Sequence, residues 1–188
     1  MYYRQNKARY LEKAKKFAAL NPDKVRGYKR KHKTLQRNKL RLFVANLKSS
    51  CKCCSETRKQ CLEFHHIKKK KMTINRMIQH AYSIIAIKKE IAQCEIICAN
   101  CHRKIHATGT IYNNCKAKYV KQIKETIPCK CGQSFWACLD FHHTNPNNKT
   151  LNIGAMIRDT SYTLDDIKKE IDKCVILCVN CHRVEHNP

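Results

Sequence analysis

Acidic residues are scarce in this sequence. Its 188 residues hold 14 Asp and Glu against 39 Lys and Arg, a formal net charge of +25. Solubility needs only a modest charge of either sign, so this excess disfavours an enzyme of small-molecule metabolism and predicts a polyanionic partner. Long apolar runs are missing too. The longest, around Ile84 to Ile87 and Val175 to Val179, fall far short of the roughly 18 to 20 residues that span a bilayer, so no membrane partner is expected. Four Gly, four Pro and 43% hydrophobic residues exclude a polybasic disordered tail throughout and predict folded units. The opening Met-Tyr-Tyr-Arg-Gln-Asn-Lys lacks the basic, apolar and small-residue zones of a secretory signal. A cytoplasmic or nuclear, reducing compartment is therefore expected rather than secretion, and the 14 cysteines read as metal ligands rather than a disulfide framework.

The charge is unevenly placed. Residues 1–50 hold sixteen basic and two acidic residues and no cysteine, which marks them as a basic arm. Tyr10, Leu11, Ala14, Phe17 and Ala18 recur at helical steps. Asn21-Pro22-Asp23 then supplies an N-cap, a first-turn proline and a first-turn acid for a second helix running to about Leu47. Side chains of one sign cannot pair with each other, so Arg26, Lys29, Arg30, Lys31 and Lys33 are candidate nucleic-acid contacts.

An internal repeat organises the rest. Residues 61–66, CLEFHH, recur as residues 138–143, CLDFHH, and EIAQCEIICANCHRKIH at 90–106 recurs as EIDKCVILCVNCHRVEH at 170–186 with ten of seventeen positions identical. The expected organisation is the arm at 1–50, one module at 51–106, a linker at 107–128 and a second module at 129–188. Turn signals at Thr108-Gly109-Thr110 and Asn113-Asn114 open the linker, and Ala117 to Ile127 fits a short helix. Within each module Leu62 and Phe64, or Leu139 and Phe141, alternate with an acid as on a half-buried strand ending at the His pair. The runs from Cys94 and Cys174 fit a second strand. Cys98-Ala-Asn-Cys-His and Cys178-Val-Asn-Cys-His then open a closing helix, giving an α+β class.

Two close pairs of cysteines suit a tetrahedral structural zinc. In the first module these are Cys98 with Cys101 and a pair drawn from Cys51, Cys53 and Cys54, where Cys51 and Cys54 have the usual two-residue spacer. In the second they are Cys178 with Cys181 and Cys129 with Cys131, whose spacer is one residue. Cys61, Cys94, Cys138 and Cys174 stand alone at strand-like positions and read as buried apolar thiols. Structural zinc does not account for the histidines. Each module places two adjacent His at a strand end and two more, His102 and His106 or His182 and His186, four apart on one helix face. This set predicts a second, open metal site with an imidazole beside it for general-base work.

These residues resemble the HNH nucleases of the ββα-metal fold, particularly the four-cysteine phage and mobile-element type. The resemblance rests on LEFHHI with CANCHRKIH in the first module, and on LDFHHTNPNNK with LCVNCHRVEH in the second. It implies two tandem zinc-bound ββα-metal modules behind a basic helical arm. By the same resemblance His66 and His143 are general bases, while His65, His102, His106, His142, His182 and His186 hold a catalytic divalent ion, Mg²⁺ or Mn²⁺. Two Zn²⁺ would be structural. The family's middle Asn, which steadies the base, is replaced before the second strand by Gln93 and Lys173, and Asn75 and Asn152 are the aligned substitutes. Asn100 and Asn180, inside the Cys-x-x-Cys turn, read as caps. The implied reaction is hydrolysis of a phosphodiester in double-stranded DNA by a monomer acting as a pseudo-dimer, or by a homodimer. Arg103, Arg183, Lys68, Lys69, Lys70 and Lys71 are candidate phosphate contacts beside the sites. The rival reading is a non-catalytic, zinc-dependent nucleic-acid-binding protein on the same scaffold.

Overall fold

The computed structural model describes residues 6–107 and 114–187. The chain forms two compact units, one of residues 1–47 with 70–92 and one of residues 48–69 with 93–188. No helix among the described residues is long and apolar enough to cross a membrane.

The first unit is helical. Helices α1 (Lys7–Leu20) and α2 (Pro22–Asn46) follow the periodicity of the arm, with Pro22 in the first turn of α2. Asn21 does not cap α2 through its side chain. Its Nδ2 instead donates back to the Phe17 carbonyl at 3.1 Å, closing α1. Helices α3 (Ile74–Gln79) and α4 (Ile84–Ile91) are capped by Thr73 and Ser83, whose hydroxyls accept from Arg76 and Ala86 amides. Leu40 and Val44 are buried on the C-terminal half of α2, which packs on α3, and Ile74, Met77, Ile78 and Ile87 are buried on α3 and α4. Helix α1 buries no side chain, and Tyr10, Leu11, Phe17 and Leu20 remain exposed.

The second unit is α+β and contains the repeat. Strand β1 (Leu62–His66) pairs antiparallel with β2 (Cys94–Cys98), which leads directly into helix α5 (Ala99–His106). After helix α6 (Cys115–Thr126), strand β3 (Leu139–His143), helices α7 (Ile153–Arg158) and α8 (Leu164–Ile171), strand β4 (Cys174–Cys178) and helix α9 (Val179–His186) repeat the plan. Registers match as well, with Leu62 opposite Cys98 and Leu139 opposite Cys178. Each sheet has only two strands, which is marginal by itself, and flanking helices and the residues around the four-cysteine clusters supply the remaining packing.

Helix α6, within the expected linker, packs into the second module. Val120 of α6 joins Ile153, Met156 and Ile167 in the core of the second module, with Phe141 packed against them. Asn114 caps α6, its Oδ1 accepting the Ala117 amide at 2.8 Å. The expected turn at Thr108-Gly109-Thr110 and Asn113 lies outside the described residues.

Candidate metal centres

Each module carries two clusters. Cys51, Cys54, Cys98 and Cys101 form the first, and Cys129, Cys131, Cys178 and Cys181 its counterpart. A tetrahedron of sulfurs each about 2.3 Å from zinc has edges of roughly 3.8 Å. The Cys54–Cys98 and Cys54–Cys101 sulfurs are 3.7 Å apart, and the Cys131–Cys178 pair 3.6 Å, so both clusters are compatible with structural zinc. Cys53, the alternative first ligand, is outside the cluster. The one-residue spacer of Cys129 and Cys131 works because the chain turns back at Gly132, whose φ of 85° is left-handed backbone that favours glycine.

Backbone amides aim at the sulfurs. Cys98 and Cys53 amides donate to Cys51 Sγ at 3.1 and 3.4 Å. Burial pushes the Cys51 thiol up, but these donors outweigh it and hold the group at about 7. The Cys129 thiol is likewise held at about 7, against burial, by donors from Cys131 and Cys178.

Histidines form the second cluster type. His65, His102 and His106 converge in the first module and His142, His182 and His186 in the second, each set with its ring nitrogens within 4.8 Å of one another. In the second set the Nε2 atoms of His182 and His186 are 3.2 Å apart. Burial, then repulsion from the neighbouring imidazoles, holds the His65 and His142 rings below the usual histidine range. Neutral rings with exposed lone pairs are the form that ligates a cation. Three imidazoles fit a borderline transition ion such as Zn²⁺, Co²⁺ or Ni²⁺, whereas Mg²⁺ favours carboxylate and water oxygens.

Strand alternation sends the next histidine to the other face. His143 Nε2 meets Glu170 Oε1 at 2.7 Å, and both side chains are almost wholly buried. Glu170 also accepts the Thr150 amide at 2.8 Å and the Lys173 ammonium at 2.7 Å. Burial alone would raise its carboxyl. These donors outweigh it and hold the group at about 2, so Glu170 is ionised. Glu170, on α8, is thus the partner of His143, whereas Asn152, the expected partner, immediately precedes α7 and makes no capping bond with its side chain. Its repeat counterpart Glu90 is also buried and accepts the Lys71 amide at 3.2 Å, as Glu170 accepts that of Thr150.

Asn100 and Asn180 do not cap the turn; the sulfurs of Cys98 and Cys178 do, accepting from Cys101 and Cys181 amides. Cys61 and Cys138 are fully buried and join no metal cluster. Arg103 and Arg183 each meet a carboxylate of the opposite module, Asp140 and Glu63. Lys68, Lys69, Lys70 and Lys71 are exposed, as are Arg26, Lys29, Arg30, Lys31 and Lys33 of α2. Of these, Arg26, Lys29, Arg30 and Lys33 fall at helical spacing on one face.

No family model, no curated protein and no solved structure matches this chain. Two four-thiol clusters, two three-imidazole clusters and a buried His–Glu pair offer zinc ligation, an open cation site and a proton acceptor.

Proposed function

We propose that this protein is an HNH-type endonuclease that hydrolyses DNA phosphodiesters, with two modules acting as a pseudo-dimer. The observation that carries the reading is the division of labour at one strand end. His142 joins His182 and His186 in a cation site, while its neighbour His143 is buried against an ionised Glu170.

His142, His182 and His186 would hold the ion, as would His65, His102 and His106 in the first module. A divalent transition ion bound there would supply positive charge for the phosphate oxygens and the departing 3′ oxygen. His143 holds a proton on Nε2, donated to Glu170, which leaves the Nδ1 lone pair to take the proton of an attacking water. Glu170 fixes that tautomer and stabilises the imidazolium that forms. His66 is the corresponding base in the first module. The net charge of +25 and the basic face of α2 support a DNA substrate, since backbone contacts carry most non-specific affinity.

The test is conversion of supercoiled plasmid to nicked and linear forms by the zinc-loaded chain, with Mg²⁺, Mn²⁺, Co²⁺ or Ni²⁺ added in turn. Cleavage that falls in His143→Ala or His66→Ala supports the nuclease; DNA binding without cleavage in any of these ions transfers the case to the non-catalytic binding protein.

A further inference from the structure

The two modules exchange contacts in pairs. Arg103 of the first module forks onto Asp140 of the second, Nη1 to Oδ1 at 2.8 Å and Nη2 to Oδ2 at 3.0 Å, and its Nη1 also donates to the Ala137 carbonyl at 3.3 Å. Arg183 of the second module reaches Glu63 Oε1 of the first, and its Nη1 approaches the Gln60 carbonyl at 3.5 Å. Gln60 and Ala137 occupy the same place in the repeat, as do Glu63 and Asp140. Such reciprocity marks an approximate two-fold relation.

Each of these carboxylates is also the partner of a cluster histidine in its own module. Glu63 Oε2 meets His102 Nδ1, and Asp140 Oδ2 lies 3.5 Å from His182 Nδ1. The reason is local. Glu63 and His65 are two apart on β1, so they share a face of the strand, and α5 brings His102 across that face. A carboxylate on Nδ1 leaves Nε2 facing the cluster and fixes the ring's tautomer and orientation.

We infer that Arg183 is a positioning residue for the first module's three-histidine site and Arg103 for the second's, each acting in trans through the carboxylate it holds. Glu63 divides its two oxygens between Arg183 and His102, so the guanidinium fixes the oxygen that orients the ring. Neither cation site is complete without the other module. The inference rests on the proposed role of the histidine clusters as metal sites, though not on DNA cleavage.

The experiment reads metal binding one site at a time in the full, zinc-loaded chain. In a His142→Ala background only the first cluster remains intact, and in a His65→Ala background only the second. Co²⁺ is titrated into each and followed by its visible absorption, with two retained zinc ions per chain as the check of folding. Arg183→Ala is expected to weaken Co²⁺ at the first cluster about ten- to a hundredfold, the usual effect of losing an outer-shell partner, and to leave the second unchanged. Arg103→Ala is expected to give the opposite pattern. Arg183→Lys, which keeps the charge but loses the planar fork, should fall between wild type and Arg183→Ala. A combined Arg183→Ala and Glu63→Gln variant should bind no more weakly than Glu63→Gln alone, because both act on His102.

Unchanged Co²⁺ affinity at the first cluster in Arg183→Ala, or equal weakening at both clusters, overturns the inference. If Arg183→Ala loses zinc, Arg103→Ala and Arg183→Lys decide the same question. Should the parent His142→Ala chain bind no Co²⁺, the metal-site reading itself fails, whereas binding that ignores the arginines refutes only the clamp.

Discussion

Asn100 and Asn180 hold each other's backbone: the Asn180 side-chain oxygen accepts the Asn100 amide at 3.2 Å, and the Asn100 oxygen accepts the Asn180 amide at 3.4 Å. Both residues are buried. The exchange continues around them, with the Cys61 thiol on the Asn180 carbonyl at 3.4 Å and the Cys138 thiol on the Asn100 carbonyl at 3.3 Å. Asn100 Nδ2 also donates to Cys178 Sγ at 3.3 Å, which ties one module's turn to the other's thiol cluster.

Removing either amide strands buried backbone donors. Asn100→Ala or Asn180→Ala is expected to destabilise the chain by about 1–3 kcal/mol, the cost of a buried unsatisfied group. Because both act on one contact set, the double variant should cost less than the sum of the singles. Urea unfolding of the zinc-loaded proteins measures this, and full additivity would show that the two amides work independently.

The Glu170 carboxylate bears on the proposed hydrolysis. On that proposal, His143→Ala is expected to lower cleavage by the second module about 10²- to 10⁴-fold, the usual worth of a general base. Measuring it in a His66→Ala background isolates that module. Glu170→Gln keeps the size of the side chain and an acceptor but loses the charge that stabilises an imidazolium, so it should lower the rate by less than His143→Ala while leaving substrate affinity near wild type. A loss confined to affinity would remove Glu170 from the proton-transfer assembly.

Much of this architecture was legible from residue spacing. The α+β repeat, the four cysteines of each cluster and the three histidines follow from close Cys pairs (Cys-x-x-Cys, and Cys-x-Cys at Cys129 and Cys131), His-His and His-x-x-x-His spacing, because a tight turn, a strand end and a helix face each put ligands together with little help from elsewhere. What spacing could not show is what crosses the chain. Glu63 and Asp140 read as the solvent side of an alternating strand, yet a guanidinium 120 or 37 residues away in sequence meets each of them. Glu170 read as the opening of a repeat element and proved to be the partner of His143. An acid retained in both copies, Glu90 and Glu170, was the available signal. Spacing was equally silent on the helical unit, where buried Leu40 and Val44 of α2 share a compact unit with residues 70–92 from between β1 and β2.

The four-thiol clusters predict a stepwise dependence on zinc. Cys181→Ser should remove one of two zinc ions per chain, counted by metal analysis, and leave the first cluster filled. Leu139, Leu177, Cys178 and Cys129 pack around that site, so its loss should open the second module's core first. Because binding to an unformed site is also folding free energy, chelation of both ions is expected to abolish cooperative unfolding, with readdition restoring it. Retention of two zinc ions in Cys181→Ser would displace that residue from the ligand set.

Acid should weaken the fold through the histidine clusters. The rings of His65 and His142 titrate below the ordinary value of 6.5, first because burial disfavours the charged ring and then because the neighbouring imidazoles repel it. In the unfolded chain the same rings take up their protons near that ordinary value. Between the two, the unfolded state binds more protons than the folded one, so stability rises with pH across the window and falls as pH drops through it. A cation in the cluster steepens the dependence, since only neutral rings ligate it. For the zinc-loaded chain without a second metal, the thermal midpoint followed by circular dichroism is expected to fall between about pH 7 and pH 5. The combined His65→Asn and His142→Asn variant should flatten that slope while keeping both zinc ions. A midpoint that holds steady or climbs as the wild-type chain is acidified across this range would count against neutral, converging rings.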